Sequence, residues 1–341
     1  MISLIVAAIL GVGPAGSVTP AQVDCRGPSG SPSAPELKSM HAEMLGAVKT
    51  LVLQQKAIEL HKPIPNEYEK IRTDLTQMAT AAHAQAMARP DLTAAQREQV
   101  DARLAEQLAA VGATLAVMHL NEALALEQTV CVDLVNGKAR YETRDLRAVD
   151  RLARDHAVDR DNARTLDKTG TTILTRSRRV LLIPQADKLA VVSADPVFNP
   201  EEQAYRLGIL PACFFDSGVQ LQVAELVPTV PDELRLVGRR NGDMYFVATL
   251  RTDIGYRFSN LTIYGDDGKP FEEFTATDFR KTGDALVPFR TTCTVNCGEV
   301  EGCLIERQEV RSAAVNTALP DGAFSTPAEY HVQKIGVADA E

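Results

Sequence analysis

GYRFSNLTIYGDDGKPFEEFTATDFRKTGDALVPFRT, residues 255–291, decides the fold. It reads as three strands, 256–264, 271–280 and 285–295, rich in aromatic and β-branched residues. They are separated by Asp267-Gly268 and Thr282-Gly283, dipeptides with the backbone freedom of tight turns. Strands joined by such short turns are antiparallel neighbours, and a meander of this kind twists and curls.

The same pattern extends in both directions. Upstream lie strands expected at 234–239 and 244–251, joined through Asn241-Gly242, and at 172–183 and 188–194; downstream lies one at 303–315. Further upstream Val130, Val132 and Leu134 alternate with Cys131 and Asp133. Asn136-Gly137 then supplies a turn, and Ala139 and Tyr141 alternate with Arg140 and Glu142, which is a hairpin. Residues 218–226 fit a strand or a short helix, and 146–168 are charge-rich and fit a helix or a loop.

Before residue 129 the period changes. Leu37, Met40, Met44, Val48 and Leu51 recur at helical spacing behind a capping box of Ser33 and Glu36. Pro63 and Pro65 break this helix. A second helix places Tyr68, Ile71, Leu75, Met78 and Ala82 on one face and ends near Arg89-Pro90. A third, capped by Thr93 and Gln96, aligns Val100, Leu104, Leu108, Val111, Leu115 and Met118. The stripes are narrow, near a coiled-coil seam, so the helices pack on each other, on the chain's own β domain, or on a partner.

Residues 2–10 form an apolar run too short to span a bilayer, with small residues after it, which reads as an export signal cleaved near 15–21. Gln22, Val23 and Asp24 before Cys25 lack the small residue and Leu of a lipid-anchor box. The expected organisation is therefore a signal and cleavage region at 1–24, a Pro, Ser and Gly rich linker at 25–35 and a helical arm at 36–128. An antiparallel β domain at 129–335 and a tail at 336–341 complete it. The fold class is α+β, a curved, unclosed antiparallel sheet preceded by about three helices.

Composition narrows the functions. The 341 residues carry a net charge of −9, no Trp and 5% aromatic side chains. That balance repels a phosphate backbone, so nucleic acid is not an expected partner. The six His (His41, His61, His83, His119, His156, His331) show no ligand spacing. Asp155, Asp159, Asp161 and Asp167 lack the Gly and terminal Glu of a calcium loop. No phosphate loop or nucleophile elbow is present, and Glu272, Glu273 and Asp278 are too ordinary as strand carboxylates to mark an acid–base site. The expectation is a non-enzymatic protein with no metal and no cofactor.

Cys293, Cys297 and Cys303 cluster at a hairpin tip, with Cys25, Cys131 and Cys213 elsewhere. In an oxidising compartment they point to a disulfide. Cys297 to Cys303 would brace the intervening loop, Cys293 to Cys303 is comparable, and a zinc thiolate site is the rival.

The order of VNGKARYE (135–142), RVLLIPQADKLAVV (179–192), RLGILP (206–211), residues 255–291 and VNTALPDGAFSTP (315–327), behind an export signal, resembles the LolA/LolB-like periplasmic lipoprotein carriers. The resemblance covers roughly residues 125–332. It implies an unclosed antiparallel barrel, helices at its mouth and an apolar concave face that receives acyl chains. GKAR followed by an aromatic is similar to a functional stretch of that family, which implies lipid-binding roles for Arg140 and Tyr141. Tyr141 stands where the family has Trp, and Asn136 where it has Pro. Without the resemblance, Arg140 reads as a solvated strand residue. The implied function is retention of an acyl lipid or lipoprotein in the periplasm or outside the cell, with transport to the outer membrane. The alternative is a structural or interaction protein of the envelope that uses the β domain as scaffold and the arm to reach a partner.

Overall fold

The computed structural model describes residues 30–64, 66–156, 166–194, 198–225, 232–297 and 300–335. The expected signal, Cys25 and the tail lie outside these residues.

Fourteen strands form one sheet whose two edges do not pair with each other. The sequence opens with α1 (Ala34–Gly46), β1 (Thr50–His61), α2 (Glu67–Met87), α3 (Ala94–Leu120), β2 (Ala123–Asp133) and β3 (Lys138–Asp145). Next come α4 (Val149–Asp155), β4 (Gly170–Thr175), β5 (Arg179–Ile183), β6 (Leu189–Ser193) and α5 (Pro200–Tyr205). A 3₁₀ turn (Ala212–Phe215) leads to β7 (Val219–Glu225), β8 (Glu233–Arg240), β9 (Asp243–Arg251), β10 (Arg257–Tyr264) and β11 (Pro270–Thr282). The last strands are β12 (Ala285–Cys297), β13 (Val300–Val315) and β14 (His331–Ile335). Spatial order is β14-β6-β5-β4-β3-β2-β1-β13-β12-β11-β10-β9-β8-β7. Every pair is antiparallel except β14 with β6. This is the α+β, unclosed antiparallel architecture expected from the meander.

Three expectations need correction. The first helix stops at Gly46 and does not run through Val48 and Leu51; Thr50–His61 is a strand at the centre of the sheet, between β2 and β13. Leu51, Leu53 and Ala57 are buried at period two, but Gln55 holds the inward position between them. That polar residue, among good helix formers, hides the alternation. Gln55 is tolerated because its amide donates to Gln128 Oε1 at 2.9 Å.

The second correction concerns the arm. Because β1 and β2 pair directly, Leu60 opposite Ala123, α2 and α3 are an insertion at the tip of a β-hairpin and not an N-terminal extension. They pack on each other, and Val117 near the end of α3 packs with Ala153 of α4 and with Leu166. Tyr68, Ile71 and Leu75 are half-buried as expected, but further along α2 the stripe moves by one residue, with Ala79 buried and Met78 68% exposed. Leu108 on α3 is also exposed.

The third concerns turn geometry. At Asn241-Gly242 both residues have positive φ, as a two-residue hairpin turn requires. The β2–β3 turn is a longer loop, Asp133 pairing with Lys138, and there only Gly137 is left-handed. Asn136 instead donates its backbone N–H to Asp133 Oδ1 at 2.9 Å. Of the segments read both ways, 218–226 is strand β7 and 146–168 contains helix α4.

The concave face carries two large apolar clusters. One joins β1, β2, β3, β12 and β13 to Ala204, Leu207 and Ile209. The other joins β7 to β11 with Leu37 of α1 and Phe214 and Phe215. Gly238 is required here: a Cβ would stand 2.0 Å from the Phe246 ring, which lies across β8. Thus α1 and residues 204–215 close the mouth of the sheet.

Candidate functional site

The site is built where α1 crosses that mouth. Helix α1 is set by its capping box, Ser33 N–H donating to Glu36 at 2.6 Å, and by Leu37, which is fully buried. Between α1, the β2–β3 turn and residues 200–215 lies a cleft of about 450 Å³, open to solvent along the exposed side of α1. Its walls include Ala42, Leu45, Val48, Leu134, Leu210 and Phe215, and of its twelve lining residues only Lys38 and His41 are polar. Lys38 sits at the rim, its Nζ donating to the Phe215 carbonyl at 3.2 Å.

His41 ties α1 to the mouth. It is 2% exposed, and its Nδ1 accepts the Leu210 backbone N–H at 3.1 Å. An acceptor Nδ1 means a neutral ring with its proton on Nε2. Burial, reinforced by the nearby Arg257, pushes its pKa down to about 4. Arg257 is itself buried and donates to the Leu207 carbonyl at 2.8 Å.

Beyond α5 the concave floor becomes polar. Tyr141 accepts from Gln203 Nε2 at 2.9 Å, and the Arg206 guanidinium lies over its ring at 5.3 Å. Arg206 also reaches Gln308 at 3.5 Å, and its Nε has no hydrogen-bond partner among the described residues. Glu59 and Glu306 stand directly opposite each other on β1 and β13. Burial and then Glu306 raise the Glu59 pKa. Burial likewise raises Glu202 and Glu272, and it raises Cys293, which donates to Glu272 Oε1 at 3.5 Å. The Cys213 thiol is pushed up to about 12 by burial and Glu201. These thiols are held protonated, the opposite of what a nucleophile needs.

Arg140 and Tyr141 are successive residues of β3 and therefore face opposite sides of the sheet. Tyr141 faces the concave side, although it does not line the 450 Å³ cleft. Arg140 faces outward, paired with Glu142 at 2.5 Å and donating to the Ala323 carbonyl at 3.0 Å. Near it a second hollow, about 550 Å³, is lined by polar residues such as Gln54, Glu127, Glu142, Arg144 and Arg311. Arg311 is paired with Glu127 there.

Cys297 is joined to Cys303, with Cα atoms 5.8 Å apart. Cys293 is a free thiol on the concave face, which decides between the two candidate pairings. Of the acidic quartet, Asp159 and Asp161 lie outside the described residues, while Asp167 accepts the Thr169 N–H at 2.8 Å in a local turn. His41, Arg206 and Arg257 were not legible as site residues, since nothing in their local sequence marks them as inward.

The chain thus forms a curved, unclosed sheet with helices across its mouth and a mostly apolar cleft, open to solvent, beside α1. No family profile and no curated protein sequence matches the chain. Solved structures do. One is an outer membrane lipoprotein-sorting protein domain from Vibrio parahaemolyticus, 10% identical over 86% of this chain and 97% of that one, with a TM-score of 0.43. Another is a LolA superfamily protein from Nitrosomonas europaea, 9% identical over 86% and 98%, at 0.39. A DUF1329 family protein from Desulfovibrio piger is 8% identical over 86% and 97%, at 0.37. At this identity and degree of superposition no residue role is carried over from them.

Proposed function

We propose that this chain is a non-enzymatic extracytoplasmic binding protein that holds an acyl chain of a lipid or lipoprotein between α1 and the mouth of the sheet. The observation that carries the reading is the open 450 Å³ cleft with mostly apolar walls, a size within the range of about 300–1,000 Å³ usual for small-molecule clefts. Burying six methylenes contributes about 5 kcal/mol, enough for retention without any catalytic group. Lys38 at the rim suits an anionic or carbonyl head group. Export to the periplasm or beyond is in keeping with the apolar N-terminal run and the Cys297–Cys303 bond, since disulfides persist in oxidising compartments.

Native mass spectrometry and displacement of a fluorescent fatty-acid probe test the binding. Ala42 is exposed on α1 and lines the cleft, so Ala42→Trp should fill it and weaken probe binding at least tenfold with melting unchanged. A wild-type protein that neither retains nor binds acyl lipid ends the reading. One observation favours a second reading, an envelope scaffold: the rest of the concave face is filled by the chain's own side chains, while α2 and α3 pack mainly on each other. That reading predicts no lipid in the same measurement.

A further inference from the structure

The cleft beside α1 has a direction. Lys38, Ala42 and Leu45 recur at spacings of four and three, so they follow one face of the helix over about 10 Å. The Lys38 end is polar: Lys38 Nζ donates to the Phe215 carbonyl at 3.2 Å, and His41 follows about one turn later. The other end is apolar. There Val48 follows the helix and Leu134, whose N–H donates to the Lys49 carbonyl at 2.9 Å, brings the β2–β3 turn alongside. Val135 on that turn also lines the cleft and is 62% exposed, which is apolar surface that a hydrocarbon tail would remove from water.

Charge at the polar end is of one sign. No Asp or Glu lines the cleft, and Lys38 forms no ion pair among the described residues. Close to His41 stands Arg257, 6% exposed, with the Leu207 carbonyl as its acceptor. Burial alone pushes the Arg257 pKa down to about 10, and no carboxylate offsets it. A buried guanidinium without a counter-ion is costly, and its field adds to that of Lys38. His41 is neutral and opposes neither. The volume sets the number of chains. A water takes about 30 Å³ and a methylene roughly the same, so 450 Å³ corresponds to about fifteen carbons. That is one acyl chain, and a cargo with several chains needs several times the space.

We propose that the ligand of this cleft is a single-chain amphiphile with an anionic head, of the long-chain fatty-acid class, its head on Lys38 and its tail running past Leu45 to Val135. The proposal rests on the acyl-binding reading above and narrows it, since cargoes with several chains are too large and neutral heads are disfavoured. A carboxylate at Lys38 makes a charge-assisted hydrogen bond. Without a cation, the cost of taking a carboxylate out of water would favour the alcohol of the same chain length. The cation reverses that order. Head-group preference therefore reports on Lys38, while binding of the tail reports on the apolar walls.

The test is displacement of the fluorescent fatty-acid probe by hexadecanoic acid, by hexadecanol and by a triacylated lipopeptide, in the wild type, Lys38→Met and Lys49→Met. Lys49 is exposed beyond Val48, outside the cleft lining, and its replacement removes the same charge. Lys38 is exposed too, and melting checks the fold of both variants. In the wild type and in Lys49→Met the acid should bind at least fivefold more tightly than the alcohol, and the lipopeptide at least tenfold more weakly than the acid. In Lys38→Met the alcohol should keep its affinity and the acid should bind no better than the alcohol. An acid that binds no tighter than the alcohol in the wild type overturns the proposal. So does a preference that survives in Lys38→Met or is lost equally in Lys49→Met, and so does a lipopeptide that competes as strongly as the acid. In each of these cases acyl chains still bind, and the broader reading stands. A wild-type protein that binds none of the compounds ends both.

Discussion

Two buried residues set how the molecule responds to acid and to mutation. His41 is neutral in the fold with a pKa of about 4, against about 6.5 when unfolded. The unfolded chain therefore takes up the proton first. The His41 contribution is intact above pH 6.5, is lost as pH falls through the window between those values, and is gone below about 4. The loss should reach about 3 kcal/mol. Protonation would also place a second charge beside Arg257 and remove the acceptor for the Leu210 N–H. Denaturant melts at pH 7 and pH 4 should show His41→Gln losing less stability than wild type between the two; equal losses would count against this assignment. Arg147 is the other. It pairs with Asp145 at 2.6 Å, with 10% and 1% of the two side chains exposed, and it donates to the Leu120 and Leu166 carbonyls at 2.7 and 2.8 Å. Burial alone would raise the Asp145 pKa, but Arg147 and backbone N–H groups outweigh it and hold the carboxyl low. Arg147→Met leaves that carboxylate buried without its partner and should cost about 3 to 5 kcal/mol. A loss under 1 kcal/mol in urea melts would refute this.

Among the elements, the α2–α3 hairpin is the most separable. It enters and leaves through adjacent ends of paired strands, with His61 N–H donating to the Glu122 carbonyl at 2.7 Å. Its seam is internal, with Ala79 and Leu115 buried and the His83–Asp101 pair bridging the two helices at 2.7 Å. Replacing residues 62–122 by a two-residue Asn-Gly turn should leave the sheet folded and the acyl-probe affinity unchanged. The expected penalty is the contact of Val117 with Ala153 and Leu166 together with the Arg147 hydrogen bond to the Leu120 carbonyl, about 3–6 kcal/mol. Loss of cooperative melting in that variant would show that the hairpin is part of the core. The capping boxes Ser33/Glu36 and Thr93/Gln96 were readable in the sequence because capping is a local matter of three residues. Strand β1 was not, since Gln55 breaks the alternation and Gln128, which satisfies it, lies 73 residues away.

At the scale of the whole molecule, the sequence by itself determined the meander from 233 to 315, the hairpin after residue 129, the α+β class and the clustering of cysteines that yields one disulfide. All of these rest on period, turn residues and spacing within a few positions, where the physics is local. It also determined that Arg140 and Tyr141 point apart, because successive strand residues must. Tertiary structure alone decided which of their faces receives α1 and α5 and which the segment between β13 and β14. It also decided that β1 sits beside β13, more than 230 residues later in the chain, and that β14 returns to β6. Those choices depend on which combination of distant elements buries the most apolar surface with every backbone group paired. Neither quantity is written in any short stretch of the chain.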